Sequence, residues 1–226
     1  MKKIYLVVLV LLIGCSSDSV DSYDETPVII ETGLKDLATS KGKFIGNLMR
    51  DGFFDNHDIY NGAIDNILKK EYNALVTGNK LKMVNLLRDR PEDPFNIKIS
   101  DLNTYNIDRF VNYANKHNMK KRGHVMIWYK QIPNWLDEES KTWTSQQIYD
   151  FTESYIRALS RYTNGKIDEW DVLNEAIVFN GYRSNTWYEK VSVQENDNGE
   201  IGYLSYFSKL FKWAREENPD VKPVSY

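Results

Sequence analysis

The stretch Trp170–Val178, WDVLNEAIV, decides the fold. Its apolar, partly β-branched run reads as a buried strand. Yet the run ends by delivering an amide and a carboxylate side by side, Asn174 and Glu175. In parallel α/β architectures, ligands meet the C-terminal ends of strands. A polar pair at that place reads as part of an active-site mouth.

On either side, strand-like and helix-like segments alternate. KFIGNLM (43–49), YNALVTG (72–78), RGHVMIW (122–128) and DEWDVLN (168–174) read as strands, and VKPVSY (221–226) starts a fifth. Between them, apolar residues recur at helical spacing: Ile59, Ala63, Ile64, Ile67 and Leu68; then Ile107, Phe110, Val111 and Ala114; then Ile148, Phe151, Tyr155 and Leu159. Thr144 and Gln147 fit a capping box at the start of the third helix. YLSYFSKLFKWAREE (203–217) is a fourth. Such alternation with short strands predicts a parallel sheet. It does not separate an open doubly wound sheet from a closed barrel. No Gly-rich phosphate loop follows a strand, so neither a nucleotide nor any other cofactor is expected, and no metal.

The other polar residues collect at strand ends as well. Asn47 is expected to end the first strand. Asn79 and Lys82 follow the second, His124 lies within the third, and Trp128, Tyr129 and Gln131 stand at its end. Each alone has a plain reading: a solvated carboxylate or lysine, a satisfied core histidine, a core tryptophan. Together they suit a polyol. Lys, Asn, His and Gln hydrogen-bond hydroxyls, Trp offers an apolar floor, and a partly desolvated Glu donates a proton to a leaving oxygen.

The 226 residues suit one domain of ordinary size. Net charge is −3 with no basic block, so nothing calls for nucleic acid. The aromatic share of 13% suits sugar binding, although most aromatics pack in cores. At the N-terminus, Lys2 and Lys3 precede an apolar run from Ile4 to Ile13, too short to span a bilayer and laid out as a secretory signal. LIGC, ending at Cys15, is similar to the lipobox of bacterial lipoproteins, in which that Cys is lipidated. An ordinary signal peptide that contains a Cys is the other reading. Residues 1–15 are thus expected to be a lipoprotein signal and 16–30, SSDSVDSYDETPVII, a flexible acidic tether. Residues 31–226 are the domain, held at a bacterial envelope, outer membrane or cell surface, by the lipid alone. Cys15 is the only cysteine, so an intrachain disulfide is excluded.

Five ordered stretches carry a family resemblance. LKDLATSKGKFIGN (34–47), GNKLKM (78–83), RGHVMIWYKQIPNWL (122–136), WDVLNEAI (170–177) and YRSNTWYEKVS (182–192) resemble segments of glycoside hydrolase family 10, the endo-β-1,4-xylanases. The resemblance implies a (β/α)8 TIM barrel, of which this chain covers about the first five strands. It implies endo-acting, retaining hydrolysis of β-1,4-xylan or a related β-linked polysaccharide. By position, Glu175 is the general acid/base and Asn174 holds the sugar 2-hydroxyl. His124, Trp128 and Gln131 line the sugar that becomes covalently bound, and Asn79 and Lys82 bind the next sugar outward. Gly78, Met83 and Tyr129 depart from the family's Glu, Trp and His. A retaining mechanism needs a second carboxylate roughly 5–5.5 Å away. The family carries it in an Ile-Thr-Glu-Leu-Asp setting on its seventh strand, and no such segment occurs here. The chain is therefore expected to be truncated before the nucleophile. A non-catalytic glycan-binding lipoprotein, or an inactive remnant, is the competing expectation.

Overall fold

Five strands pair in parallel, each beside the one that precedes it in the sheet's chain order. They are β1 (Gly46–Met49), β2 (Ala74–Thr77), β3 (Lys120–Ile127), β4 (Glu169–Leu173) and β7 (Lys222–Ser225). The computed structural model describes residues 32–179, 181–183, 186–191 and 202–225. The expected signal, Cys15 and the tether lie outside the described residues. Among the described residues no helix is long and apolar enough to cross a membrane.

Helices α1 (Leu34–Ser40), α2 (Asp51–Asp55), α3 (Ala63–Glu71), α4 (Met83–Leu86), α5 (Thr104–Lys116), α6 (Asn134–Ser140), α7 (Ser145–Thr163), α8 (Thr186–Val191) and α9 (Tyr203–Glu217) fill the connections. A two-stranded hairpin, β5 (Ile177–Val178) and β6 (Gly181–Tyr182), follows β4. The expected capping box forms: Thr144 accepts from the Gln147 amide and the Gln147 side chain returns to the Thr144 N–H. Each apolar residue that marked α5 and α7 is buried. Burial of one such large side chain stabilises by about 1.5–3 kcal/mol.

Two expected boundaries move. The helix read from Ile59 starts at Ala63, because Tyr60, Asn61 and Gly62 hold φ of 57°, 54° and 72° and cannot extend it backward. Ile67, read as core, is 54% exposed. The first strand starts at Gly46 and runs to Met49, so Asn47 lies inside it rather than at its end. The Asn47 carboxamide turns back on its own backbone, accepting from Leu48 N–H at 2.6 Å. That removes Asn47 from the mouth.

The sheet is locked at its centre. Gly123 on β3 pairs with Trp170 on β4, and the Trp170 indole is fully buried. A Cβ on Gly123 would meet that indole at 2.4 Å, so the glycine is what lets the ring lie over the neighbouring strand. The indole N–H donates to Thr163 Oγ1 at 3.1 Å, tying β4 to the end of α7.

Candidate active site

The C-terminal ends of β1 to β4 converge on one face, and each contributes polar side chains. After β1 comes Asp51, a residue the sequence reading passed over. Its carboxylate accepts from the Asn79 N–H at 3.1 Å and from Asn79 Nδ2 at 2.9 Å. Asn79 Oδ1 in turn accepts from Lys82 Nζ at 3.0 Å and Gln131 Nε2 at 3.2 Å. Lys82 Nζ also donates to Gln131 Oε1 at 2.5 Å and stands 4.5 Å above the Trp128 ring. Four expected site residues from the ends of β2 and β3 thus form one cluster. Burial lowers the pKa of Lys82, opposed by the carboxylates of Asp51 and Glu175.

Two of the sequence departures take on a local meaning. A Cβ on Gly78 would stand 3.3 Å from Asp51 Oδ1. Asp51, the first residue of α2, thus sets its carboxylate beside the position where the family pattern has Glu. Met83, in place of a Trp, is 3% exposed and belongs to the core rather than to the mouth.

His124 and Asp171 face each other across β3 and β4. His124 Nδ1 lies 2.8 Å from Asp171 Oδ2, while Arg122 Nε and Nη2 donate to Asp171 Oδ1 at 3.0 and 2.6 Å. A carboxylate only accepts, so Nδ1 carries the proton and Nε2 of the neutral ring is the acceptor. Asp171, 4% exposed at its side chain, thereby sets the His124 tautomer. The Asp in WDV was the signal for this role. Its place one residue after Trp170 puts it on the opposite sheet face from the indole.

Asn174 and Glu175 follow directly on β4. Asn174 is 7% exposed and its N–H donates to the Ile127 carbonyl at 3.0 Å. Glu175 adopts φ 54°, a conformation rare outside glycine. The hairpin β5–β6 then returns the chain, and Arg183 closes on Glu175. Arg183 Nε donates to the Glu175 carbonyl at 2.8 Å, and its Nη2 lies 3.7 Å from the Glu175 carboxylate. The guanidinium stacks 3.9 Å from the Tyr129 ring centroid, where the family pattern has His. Tyr129 in turn meets Trp128 edge-on at 5.7 Å. Arg183 sits in the YRSNTW stretch but no chemistry was expected of it. Only the hairpin brings it back. The Glu175 side chain is 46% exposed, so the desolvation expected of it is not supplied by its described neighbours. Trp128 Nε1 is buried without a partner among the described residues.

The model of glycosyl hydrolase family 10 matches residues 33–224. Endo-1,4-beta-xylanase B of Thermotoga neapolitana is 28% identical over 216 residues, covering 94% of this chain and 52% of that protein. Endo-1,4-beta-xylanase A of Xylanibacter ruminicola is 32% identical over 122 residues, 52% of this chain and 30% of that protein. Native xylanase 10B from Thermotoga maritima superposes with a TM-score of 0.71 at 24% identity, over 86% of this chain and 53% of that one. Xylanase 10B from Thermotoga petrophila RKU-1, solved in complex with xylobiose, gives 0.70 at 24%, over 86% and 52%. The chain thus spans about half the length of these Thermotoga relatives. The family fold is the (β/α)8 barrel, and the five parallel strands with their helices are this chain's share of it. Since the match runs from the residue before α1 through most of β7, and takes in every strand end that builds the mouth, the chain belongs to glycosyl hydrolase family 10.

Proposed function

We propose that the protein takes part in endo-acting, retaining hydrolysis of β-1,4-xylan, with Glu175 as general acid and then general base. The observation that carries this reading is the place of Glu175. It stands two residues past the end of β4, beside buried Asn174, on the face where the ends of β2 and β3 set the Asn79–Lys82–Gln131 cluster. Asn79, Lys82 and Gln131 offer donors and acceptors to sugar hydroxyls, and the Trp128 ring offers a flat apolar face. Asn174 binds the 2-hydroxyl next to the scissile bond. His124 Nε2, left as acceptor in the neutral ring by the bond from Nδ1 to Asp171, accepts a hydrogen bond from a sugar hydroxyl.

In the first step, Glu175 gives its proton to the leaving glycosidic oxygen while a carboxylate elsewhere in the protein attacks the anomeric carbon. In the second, Glu175 takes a proton from the water that releases the sugar. None of the described residues is assigned the nucleophile. Asp51 is engaged by Asn79, and Asp171 by Arg122 and His124. That engagement favours a second reading, glycan binding without cleavage.

The test uses protein expressed from its complete reading frame. Glu175→Ala should slow xylan hydrolysis by about 10²–10⁴-fold. An aryl xylobioside with a good leaving group needs no proton in the first step, so its glycosylation should be nearly spared. Azide should restore the second step, since it attacks without a base. Equal loss on both substrates with no azide rescue removes Glu175 from this role. Xylan retention without release of reducing sugar establishes the second reading instead.

We further propose that Cys15 is lipidated and holds the domain at a bacterial envelope. The short apolar run before Gly14–Cys15 and the acidic tether after it support this. One acyl chain binds membranes only marginally, so stable anchoring requires more than one.

A further inference from the structure

A groove of about 580 Å³ lies between α3 and α5, walled by residues from the turn after α2 and from those two helices. It shares no lining residue with the mouth at the strand ends.

Its charges do not cancel. Asp65 accepts from the Tyr113 hydroxyl at 2.7 Å and pairs with Lys69 at 2.5 Å. Asp108 accepts from the Tyr162 hydroxyl at 2.6 Å and pairs with Lys166 at 3.3 Å. Both carboxylates are thus engaged. Arg109, by contrast, reaches only neutral oxygens: Tyr105 Oη and the Asp55 carbonyl, each at 2.9 Å. Its guanidinium lies 5.5 Å from the Phe54 ring. Among the described residues neither Arg109 nor Lys116 has a carboxylate partner. Arg109 Nε and His57 Nε2 are buried without a hydrogen-bond partner. Buried polar atoms of that kind are rare, and both of these belong to residues that line the one groove. Burial, and after it the Arg109 charge, hold the His57 pKa below its usual value.

Shape narrows the ligand further. A bare anion would leave most of this volume empty. Tyr105 lines the groove and is 63% exposed, so its ring is open to a ligand, and its hydroxyl accepts from Arg109 at 2.9 Å. An open aromatic face beside polar donors suits a pyranose ring. We propose that this groove is a second binding site, for a small acidic sugar. The carboxylate meets Arg109 and Lys116 and the ring packs on Tyr105. The site is independent of the hydrolytic reading above.

Titration calorimetry tests it with sodium D-glucuronate, D-xylose and inorganic phosphate as separate probes. Glucuronate should bind saturably, with a Kd on the order of 1 mM. Lys116→Gln should weaken it about 10-fold, and added salt should weaken it too. Arg109→Gln should do the same. If R109Q fails to fold, having lost its contacts to Phe54 and Asp55, K116Q carries the test, because Lys116 is exposed. Xylan cleavage should be unchanged in K116Q, which separates failure here from failure of the hydrolytic reading. Three results overturn the proposal: no saturable glucuronate binding, binding unchanged in K116Q, or phosphate binding as tightly as glucuronate.

Discussion

Glu175 and Gln131 face the same mouth, and both hold left-handed backbone, at φ 54° and 51°. For a residue with a Cβ this conformation costs about 1–2 kcal/mol, and it persists only where the surroundings impose it. At Glu175 those surroundings are visible. The residue before it is anchored to β3 through Ile127, and its own carbonyl is held by Arg183. Glu175→Gly should therefore raise stability by about 0.5–1 kcal/mol, since glycine adopts this conformation without the steric penalty. The side chain that is lost makes only a 3.7 Å contact with Arg183 at an exposed site, which contributes little. A higher urea midpoint at unchanged slope is the expected reading. A lower midpoint would show that the Glu175 side chain stabilises the mouth. The residue types at this site were legible in the sequence. The backbone strain was not, because neighbours distant in sequence impose it.

At the scale of elements, helical periodicity located α5, α7 and α9, whose apolar stripes face the sheet. Short α4, α6 and α8 and the β5–β6 hairpin have too few residues for a period to show. What joins the long helices was likewise invisible. Arg157 and Arg161 on α7 both bind Glu217 at the end of α9, at 3.0 Å through Arg157 Nη1 and 2.6 Å through Arg161 Nε. Hydrogen bonds from Arg161 first, then those from Arg157, outweigh burial and hold the Glu217 carboxyl below its ordinary value of 4.5. A depressed folded-state value means the clamp is fully present above that ordinary value. It is lost as pH falls through the folded-state value. Glu217→Gln should cost about 1 kcal/mol at neutral pH, a figure reduced for partial solvent screening. The gap between wild type and variant should close on acidification below about pH 4.5. Denaturant unfolding across that range checks it. A gap that stays constant with pH would mean that the charge of Glu217 plays no part.

Across the whole molecule, the sheet depends on a fit between two strands far apart in sequence. Gly123 and Trp170 are register partners, and the indole lies flat where a Cβ would otherwise stand. Gly123→Ala should destabilise by about 1–3 kcal/mol through overpacking. A matched unfolding midpoint would show that the indole can move aside. Both residues were conspicuous in RGHVMIW and WDVLNEAIV, but their contact was not. The sequence by itself determined the order of strands and helices, because period and punctuation are local properties of the chain. It determined the residues at the ends of β2, β3 and β4 for the same reason, since a side chain's distance from the end of an apolar run is countable. It placed Asn47 at the end of β1, which runs on to Met49, and it passed over Asp51. Tertiary structure alone decided that Asp51 occupies the space beside Gly78, that Asp171 holds His124, and that Arg183 folds back on Glu175. It also decided that α3 and α5 leave a groove between them. Each of these joins residues on different elements, and such contacts are set by strand register and by the angle at which a hairpin or helix returns. No local pattern encodes them.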